Sequence, residues 1–502
     1  MTDAPADPSP SGGALSDLSA GALVFGSSAA VLVVEIVALR LLAPYLGLTL
    51  ETSTLVIGVA LAAIATGSWW GGRIADRVPP RRLIGPFLLV SGVVVAATPF
   101  LVRTSAEVAS GSLVVLASGI AILVPAMLLS AVTPAVTKLQ LVRLDETGSV
   151  VGRLSGIGTV GAVLGTVVTG FVLISRVPVS GIMVGLGLIL VVVGLALEAR
   201  FGLVRRTVVT SLVLVGLGGV GAAVGPGGCD VETAYHCASV EVDPERASGR
   251  VLVLDNLRHS YVDLDDPTHL EFDYIQAIGA MVDTGFDAQE PLATYHLGAG
   301  GLTIPRYLQV VRPGSTSIVS ELDPGVVQVN RERLALETGP DLEVRTEDGR
   351  LGIEEIGTTS VDLVVGDAFG GVSVPWHLTT REAVDEIARV LRPEGVYAAN
   401  LIDHGPLAFA RAELATLGAV FEHLALAGPP EDLAREGDGG NLVAYASDSP
   451  LDTEALARRL AEGESGWGVL DDPGVRRWIG GADVLTDAFA PVDQLLTPYV
   501  TR

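Results

Sequence analysis

The 502-residue sequence predicts two fold classes in one chain: an α-helical membrane domain of seven spans, then an α/β doubly wound, Rossmann-like domain entered through a small β segment. Three observations predict it. Apolar runs long enough to cross a bilayer fill the first half and stop near residue 226, and the mean hydropathy of the whole chain is +0.51. Acidity is confined to the second half: residues 1–226 carry 13 Lys and Arg against 10 Asp and Glu, and residues 227–502 carry 19 against 47. Over residues 295–323 a strand, a glycine turn, a helix start, a second strand and a terminal acid follow one another, the order in which a doubly wound sheet builds a nucleotide-type pocket.

Residues 1–19 are rich in Ser, Pro, Asp and Gly and are expected to be disordered. About 20 residues at a rise of about 1.5 Å cross a hydrocarbon core of about 30 Å. Seven runs meet that length, near 20–43, 51–72, 83–102, 108–136, 150–175, 180–198 and 207–226. Cations fall in alternate loops: Arg73, Arg77, Arg81 and Arg82 after the second span, Lys138, Arg143 and Arg153 after the fourth, and Arg200, Arg205 and Arg206 after the sixth, with only Arg103 and Arg176 in the others. That bias puts the N-terminus inside and, with seven spans in a multi-pass cell-membrane protein, residues 227–502 outside. Cys229 and Cys237, the two cysteines, follow the last span and are either a small-loop disulfide suited to an oxidising exterior or two free thiols.

Two features inside the spans carry charge. Glu35 and Arg40 lie in the first, where an unpaired charge is costly; Glu35 is either a structural partner or a ligand for a cationic substrate. Gly71-Gly72-Arg73-Ile74-Ala75-Asp76-Arg77, followed by Arg81-Arg82, resembles the short cytoplasmic loop motif of major-facilitator transporters. Outside the spans, Lys138 is the one lysine against 31 arginines, a balance suited to high salt, so the acidity of the second half is not by itself a cation site. It does exclude the basic footprint of a nucleic-acid binder. No metal is expected.

The second half divides into a linker and small β segment, 227–290, and an α/β domain, 291–502. Residues 250–262 alternate like a hairpin and 272–282 read as a helix. Strands are expected near 292–297, 316–321, 342–346, 361–366, 395–401 and 440–447, with helices near 304–311, 324–337 and 380–391. Gly298, Gly300 and Gly301 would let the backbone approach an adenosyl group, and Glu321, 20 residues past Gly301, would take its ribose hydroxyls. Asp348, Asp367 and Asp403 each lie just past a predicted strand end, the edge where such sheets bind ligands.

Taken together, these motifs resemble the spermidine synthase (polyamine aminopropyltransferase) family over residues 250–450, and the whole chain resembles its membrane-fused branch. The matching segments are Glu35 to Gly47 for the first span, Leu254-Asp255-Asn256 through Ser260, Tyr274-Ile275-Gln276, Gly298–Gly301, Glu321-Leu322-Asp323, Glu347-Asp348-Gly349, Val365-Gly366-Asp367, and Pro375-Trp376-His377-Leu378-Thr379-Thr380. The resemblance implies a transferase acting on decarboxylated S-adenosylmethionine, or on S-adenosylmethionine, as donor. The lipid bilayer and a polyamine or other amine acceptor are the implied partners, and a homodimer is left open. It implies Asp367 as the group that orients and deprotonates the amine, Asp348 on the adenine amino group, and Tyr274, Gln276, His259 and Trp376 on the substrate side.

Departures lie on the amine side. The family carries acids where this chain has Gly300 and Gly370, and a glutamine where His259 or Ser260 stands. The adenosyl half is thus better kept than the acceptor half. Three functions follow: a membrane-anchored aminopropyltransferase, an S-adenosylmethionine-dependent methyltransferase or other transferase, and a polyamine transporter or sensor without turnover.

Overall fold

In the computed structural model the described residues are 15–46, 50–108, 111–141, 144–174, 176–201, 229–255, 257–288, 290–370, 374–463 and 465–497. The chain divides into two units, Met1–Gly228 and Cys229–Arg502.

In the first unit, six helices among the described residues are long and apolar enough to cross a membrane: Asp17–Leu42, Ser53–Arg77, Pro80–Ser105, Gly119–Gln140, Thr147–Leu173 and Val179–Arg200. The seventh expected run, 207–226, lies outside the described residues, as do most of the predicted disordered N-terminus and the loop cations Arg143, Arg205 and Arg206. The fourth predicted span is two helices, Gly111–Ser130 and Val132–Gln140. The break falls at Ala131 because Pro134 has no amide to give the Ser130 carbonyl. The loop motif at residues 71–77 packs tightly: a Cβ on Gly71 would overlap the Ala131 backbone, and Asp76 accepts from Lys138 at 2.6 Å. Both partners of that pair are exposed, so it orients the turn more than it stabilises it. Glu35 is half-buried on the first helix.

The second unit opens with a four-stranded antiparallel sheet, β1 (Val231–Glu232), β2 (Cys237–Val242), β3 (Gly249–Leu254) and β4 (Leu257–Asp263), in that order. A disulfide joins Cys229 to Cys237 across the β1–β2 hairpin, with Cα atoms 5.3 Å apart. Eight strands form the main sheet: β5 (Ala293–Leu297), β6 (Thr316–Glu321), β7 (Leu342–Thr346), β8 (Val361–Gly366), β9 (Leu391–His404), β10 (His423–Gly428), β11 (Gly439–Ser447) and β12 (Gly468–Leu470). Their order is β12-β10-β11-β9-β8-β5-β6-β7. Strands β9, β8, β5, β6 and β7 run parallel, while β11, β10 and β12 add antiparallel to β9, which makes the sheet mixed.

Helices cover both faces, so the central strands bury side chains on both sides of the sheet rather than on one. Val364 packs into a cluster with Phe409 and Leu414, whereas its neighbours Leu363 and Val365 pack with Ile278 and Leu308 on the opposite face. Chain order reverses between β5 and β8: β6 and β7 leave to one side of β5, β8 and β9 to the other. That crevice is the switch point where doubly wound sheets bind ligands.

Six elements differ from the sequence expectation. The helix predicted over 324–337 ends at Arg333, because Ala335 takes a left-handed conformation (φ 50°) and the Leu336 amide closes back on the Asn330 carbonyl at 3.0 Å. The strand expected at 395–401 extends over Leu391–His404. β1, β2, β10 and β12 were outside the expected strands; β10 is rich in Ala and β12 is three residues long, so neither has a strand signature of its own.

Candidate active site

Parallel pairing brings the ends of β5 and β8 level, Leu297 opposite Gly366, so that Gly298 and Asp367 are the first residues past the sheet on either side of the switch point. The Asp367 amide donates to the Leu297 carbonyl at 3.0 Å. Gly298 has a φ of 93°, and a Cβ there would run into the Asp367 carbonyl. Glycine is required by both conditions. Gly300 has a φ of 47°, and the space beside it is filled by the Ser260 hydroxyl, which also accepts from the Gly301 amide at 2.8 Å. Asn330 donates to the Gly300 carbonyl at 2.7 Å. The loop is therefore fixed by β4 on one side and by the helix Pro324–Arg333 on the other.

Glu321 ends β6 beside this loop. Its two carboxylate oxygens accept one backbone amide each, from Ala299 at 2.9 Å and from Asp323 at 2.8 Å. Burial raises its carboxyl above the ordinary value, and those amides act against the shift. A carboxylate offers about four lone-pair positions, so about two remain for a ligand diol. Asp323 itself caps the next helix through the Gly325 amide at 2.9 Å and accepts from the Thr233 hydroxyl, which lies in the disulfide-closed hairpin.

Asp367 is held by side chains. Asn400 Nδ2 donates to its Oδ1 at 2.8 Å, and the Tyr274 hydroxyl lies 3.2 Å from its Oδ2 and 3.4 Å from the His259 carbonyl. Burial pushes the carboxyl up to about 6 against the lowering effect of those two donors. The same burial, with Asp367 alongside, pushes the Tyr274 hydroxyl well above its ordinary value. His259 is driven down to about 4 by burial and is neutral at pH 7; its Nε2 is buried with no hydrogen-bond partner among the described residues. The His236 ring stands 6.1 Å from that of His259 and is anchored by Asp255 Oδ2, 3.1 Å from its Nδ1.

The other predicted site residues are placed differently. Asp348 caps the helix Gly349–Glu354 through the Arg350 amide at 2.9 Å and pairs with His377 at 3.1 Å. Asp403 accepts from the His404 and Ala410 amides at 2.8 and 3.0 Å, which commits both its oxygens to the turn after β9. Gln276 does not join Tyr274: two residues along a helix turn the side chain by about 200°, and its amide donates to the Leu270 carbonyl at 2.9 Å. Trp376 is 49% exposed, with its ring edge on His377.

Asn400 and Asn441 escaped sequence reasoning. Asn441 Nδ2 donates to Asn400 Oδ1 at 2.9 Å, which turns the Asn400 amide group toward Asp367. Only the antiparallel pairing of β9 with β11 brings them together, and no local pattern signals it. Among the described residues no group of three or more His, Cys, Asp or Glu is arranged to hold a metal.

No family model matches the chain. A polyamine aminopropyltransferase of Chromobacterium violaceum is 30% identical over 142 residues, 28% of this chain and 53% of the relative, so the chain spans about half the length of that protein. A polyamine aminopropyltransferase of Vibrio vulnificus is 28% identical over 211 residues, 40% of this chain and 68% of the relative. Among solved structures, a probable spermidine synthase from Corynebacterium glutamicum is 30% identical, with 53% of this chain matched to 98% of that one and a TM-score of 0.48. The chain is thus spermidine synthase-like: the two curated relatives it resembles, over 28% and 40% of its length, are polyamine aminopropyltransferases.

Proposed function

We propose that the chain is a membrane-anchored aminopropyltransferase that moves an aminopropyl group from decarboxylated S-adenosylmethionine to an amine. The observation that carries this reading is the Asp367 carboxyl, held by Asn400 and Tyr274, pushed up to about 6, and set beside the glycine loop at the switch point. On this reading Gly298, Gly300 and Gly301 admit the donor, Glu321 takes its ribose hydroxyls and Asp348 its adenine amino group. The sulfonium already activates the carbon next to sulfur, so the protein's task is to align the amine and keep it unprotonated. Asp367 accepts the amine's proton. The nitrogen lone pair then forms the new N–C bond as the C–S bond breaks, and its electron pair leaves on sulfur as the neutral thioether of 5′-methylthioadenosine. Tyr274 and neutral His259 wall the acceptor side. Gln276 is turned from it toward the Leu270 carbonyl.

Anchoring rests on the six apolar helices, and the loop cations favour residues 227–502 outside the cytoplasm. A methyltransferase is the second reading, favoured by Gly300: the Ser260 hydroxyl fills the room a side chain would need, so the loop offers no acid to a donor's amino group. Coproduct analysis separates the readings. Full-length protein in detergent, offered both sulfonium donors and several amines, should release 5′-methylthioadenosine. S-Adenosylhomocysteine instead would favour the methyltransferase, and donor binding without either product would favour a sensor.

A further inference from the structure

Glu321 is linked to the small antiparallel sheet through a hydroxyl. Thr233 lies in the turn of the β1–β2 hairpin, where its Oγ1 accepts from the Tyr235 and His236 amides at 3.2 and 2.7 Å and stands against Asp323 Oδ2. With both lone pairs filled, its single proton goes to the strongest acceptor in reach, the Asp323 carboxylate. Asp323 is 1% exposed; its Oδ1 is committed to the Gly325 amide at 2.9 Å, and its own amide donates to Glu321 Oε1 at 2.8 Å. A Cβ on Gly325 would overlap Thr233, so the hairpin rests directly on the first turn of the helix Pro324–Arg333.

Little besides the disulfide holds that hairpin closed. β1 pairs with β2 at two positions, Val231 with Ala238 and Glu232 with Cys237, and pairing so short is weak by itself. Cys237 is fixed from behind, its amide donating to Asp255 Oδ1 at 3.0 Å and its carbonyl accepting from the Asp255 amide at 2.8 Å. The arm from Cys229 to Thr233 has the bridge and two contacts of Asp230, with the Val240 amide at 3.1 Å and with Arg333 at 3.7 Å. Both are exposed and add little. The two cysteines are half-buried rather than enclosed.

We propose that Thr233 is a positioning residue for the donor site and that the Cys229–Cys237 disulfide keeps it in place, so that reducing the disulfide weakens donor binding. The inference rests on the part of the proposed function that gives Glu321 the ribose. A dithiol reductant supplies two electrons and two protons to the bridge: Cys229 and Cys237 become thiols, and the two sulfurs of the reductant join as a new disulfide. The freed arm withdraws Thr233, the buried Asp323 carboxylate loses a donor, and the Asp323 amide is no longer held toward Glu321. Donor affinity is then high where disulfides persist and low where thiols are abundant.

Calorimetry with 5′-methylthioadenosine as the probe tests this on full-length protein in detergent, oxidised and after incubation with dithiothreitol. Reduction should weaken binding at least about tenfold, the scale of a hydrogen bond to a charged group. Thr233→Val, which keeps the shape and removes the hydroxyl, should show the same loss with the disulfide intact and little further loss on reduction, because both changes act through one link. Thr233→Ser should restore the affinity and its response to reductant. The double variant Cys229→Ser, Cys237→Ser should bind like the reduced protein and ignore dithiothreitol. Equal affinity of oxidised and reduced wild type overturns the proposal, and so do additive losses in reduced Thr233→Val. Should Thr233→Val fail to fold, the double cysteine variant decides: oxidised wild-type affinity there, or a response to dithiothreitol, overturns the proposal. Reduction without effect while Glu321→Gln binds weakly removes the brace alone; wild-type affinity in Glu321→Gln removes the ribose reading and the brace with it.

Discussion

Tyr274 and Asp367 lie 93 positions apart in the chain and 3.2 Å apart in the fold, hydroxyl to carboxylate. The tyrosine comes from the helix that follows the small antiparallel sheet, and the aspartate from the end of β8. The acid on which the proposed transfer depends is therefore tuned by a residue outside the main sheet. Removing a donor to the charged form of a carboxylate raises its pKa further. With Asp367 at about 6, kcat/KM should fall as pH drops through about 6, because the proton-accepting form is lost. In Tyr274→Phe that fall should begin at higher pH. Superimposable pH profiles of the two proteins would disconnect Tyr274 from the chemistry.

Asp367→Asn should lower turnover by about 10²-fold or more while donor binding is largely kept, since alignment and proton acceptance are lost and the adenosyl contacts remain. Single-turnover rates and donor affinity measured on one preparation check this. Stability gives a second readout. The folded-state pKa of Asp367 lies above its ordinary value, so the stability it contributes is present at low pH and is lost as pH rises through about 6. The melting temperature of the variant, compared with wild type, should therefore improve between pH 4 and pH 8; a constant difference would show that Asp367 ionises normally.

Glu321→Gln keeps the volume but replaces one charged acceptor with an amide that faces the Ala299 or Asp323 N–H. Affinity for 5′-methylthioadenosine should weaken by roughly 1.5–3 kcal/mol. Calorimetric affinity equal to wild type would take the ribose away from Glu321.

At Gly298 an alanine meets two penalties at once, a φ of 93° and the Asp367 carbonyl in the way of its Cβ. Gly298→Ala should lose about 2 kcal/mol or more of stability, and with it donor binding. Chemical denaturation of the solubilised protein reads the first and calorimetry the second. A variant as stable as wild type would mean that the loop has an alternative path.

Sidedness is open to direct test. With a seventh span, the loop cations would favour residues 227–502 outside, and the Cys229–Cys237 disulfide suits that compartment, whereas sulfonium donors are cytosolic metabolites. Protease added to intact cells should remove the second unit, and thiol reagents should label neither cysteine until reductant is added. Protection of the unit until the membrane is opened would reverse the placement and bring it to the donor's side.

The parts of the site that lie on one continuous stretch were legible in the sequence. Gly298 to Gly301 and Glu321 could be named because a strand, a turn and a second strand fix them within 24 residues of each other, and short apolar runs bounded by glycine announce such strands. Strand-end acids were legible as positions but not as roles: Asp367 is held by side chains, whereas Asp403 caps its own turn, and only tertiary neighbours distinguish them. Asn400 and Asn441 left no signal, because they meet only through the pairing of β9 with β11, strands that are not consecutive in the chain. The separation of Tyr274 from Gln276 and the helix break before Pro134 were readable from helical geometry alone.

The Asn441–Asn400–Asp367 chain of hydrogen bonds has a consequence for biosynthesis. A ribosome makes the glycine loop, Glu321 and Asp367 before it makes β11, so a nascent chain holds the parts of the donor site while the Asn400 amide is still free to present either its oxygen or its nitrogen to Asp367. Only when residue 441 arrives is that choice fixed. The acid thus gains its full set of partners late in translation, only after the strand that carries Asn441 has been made.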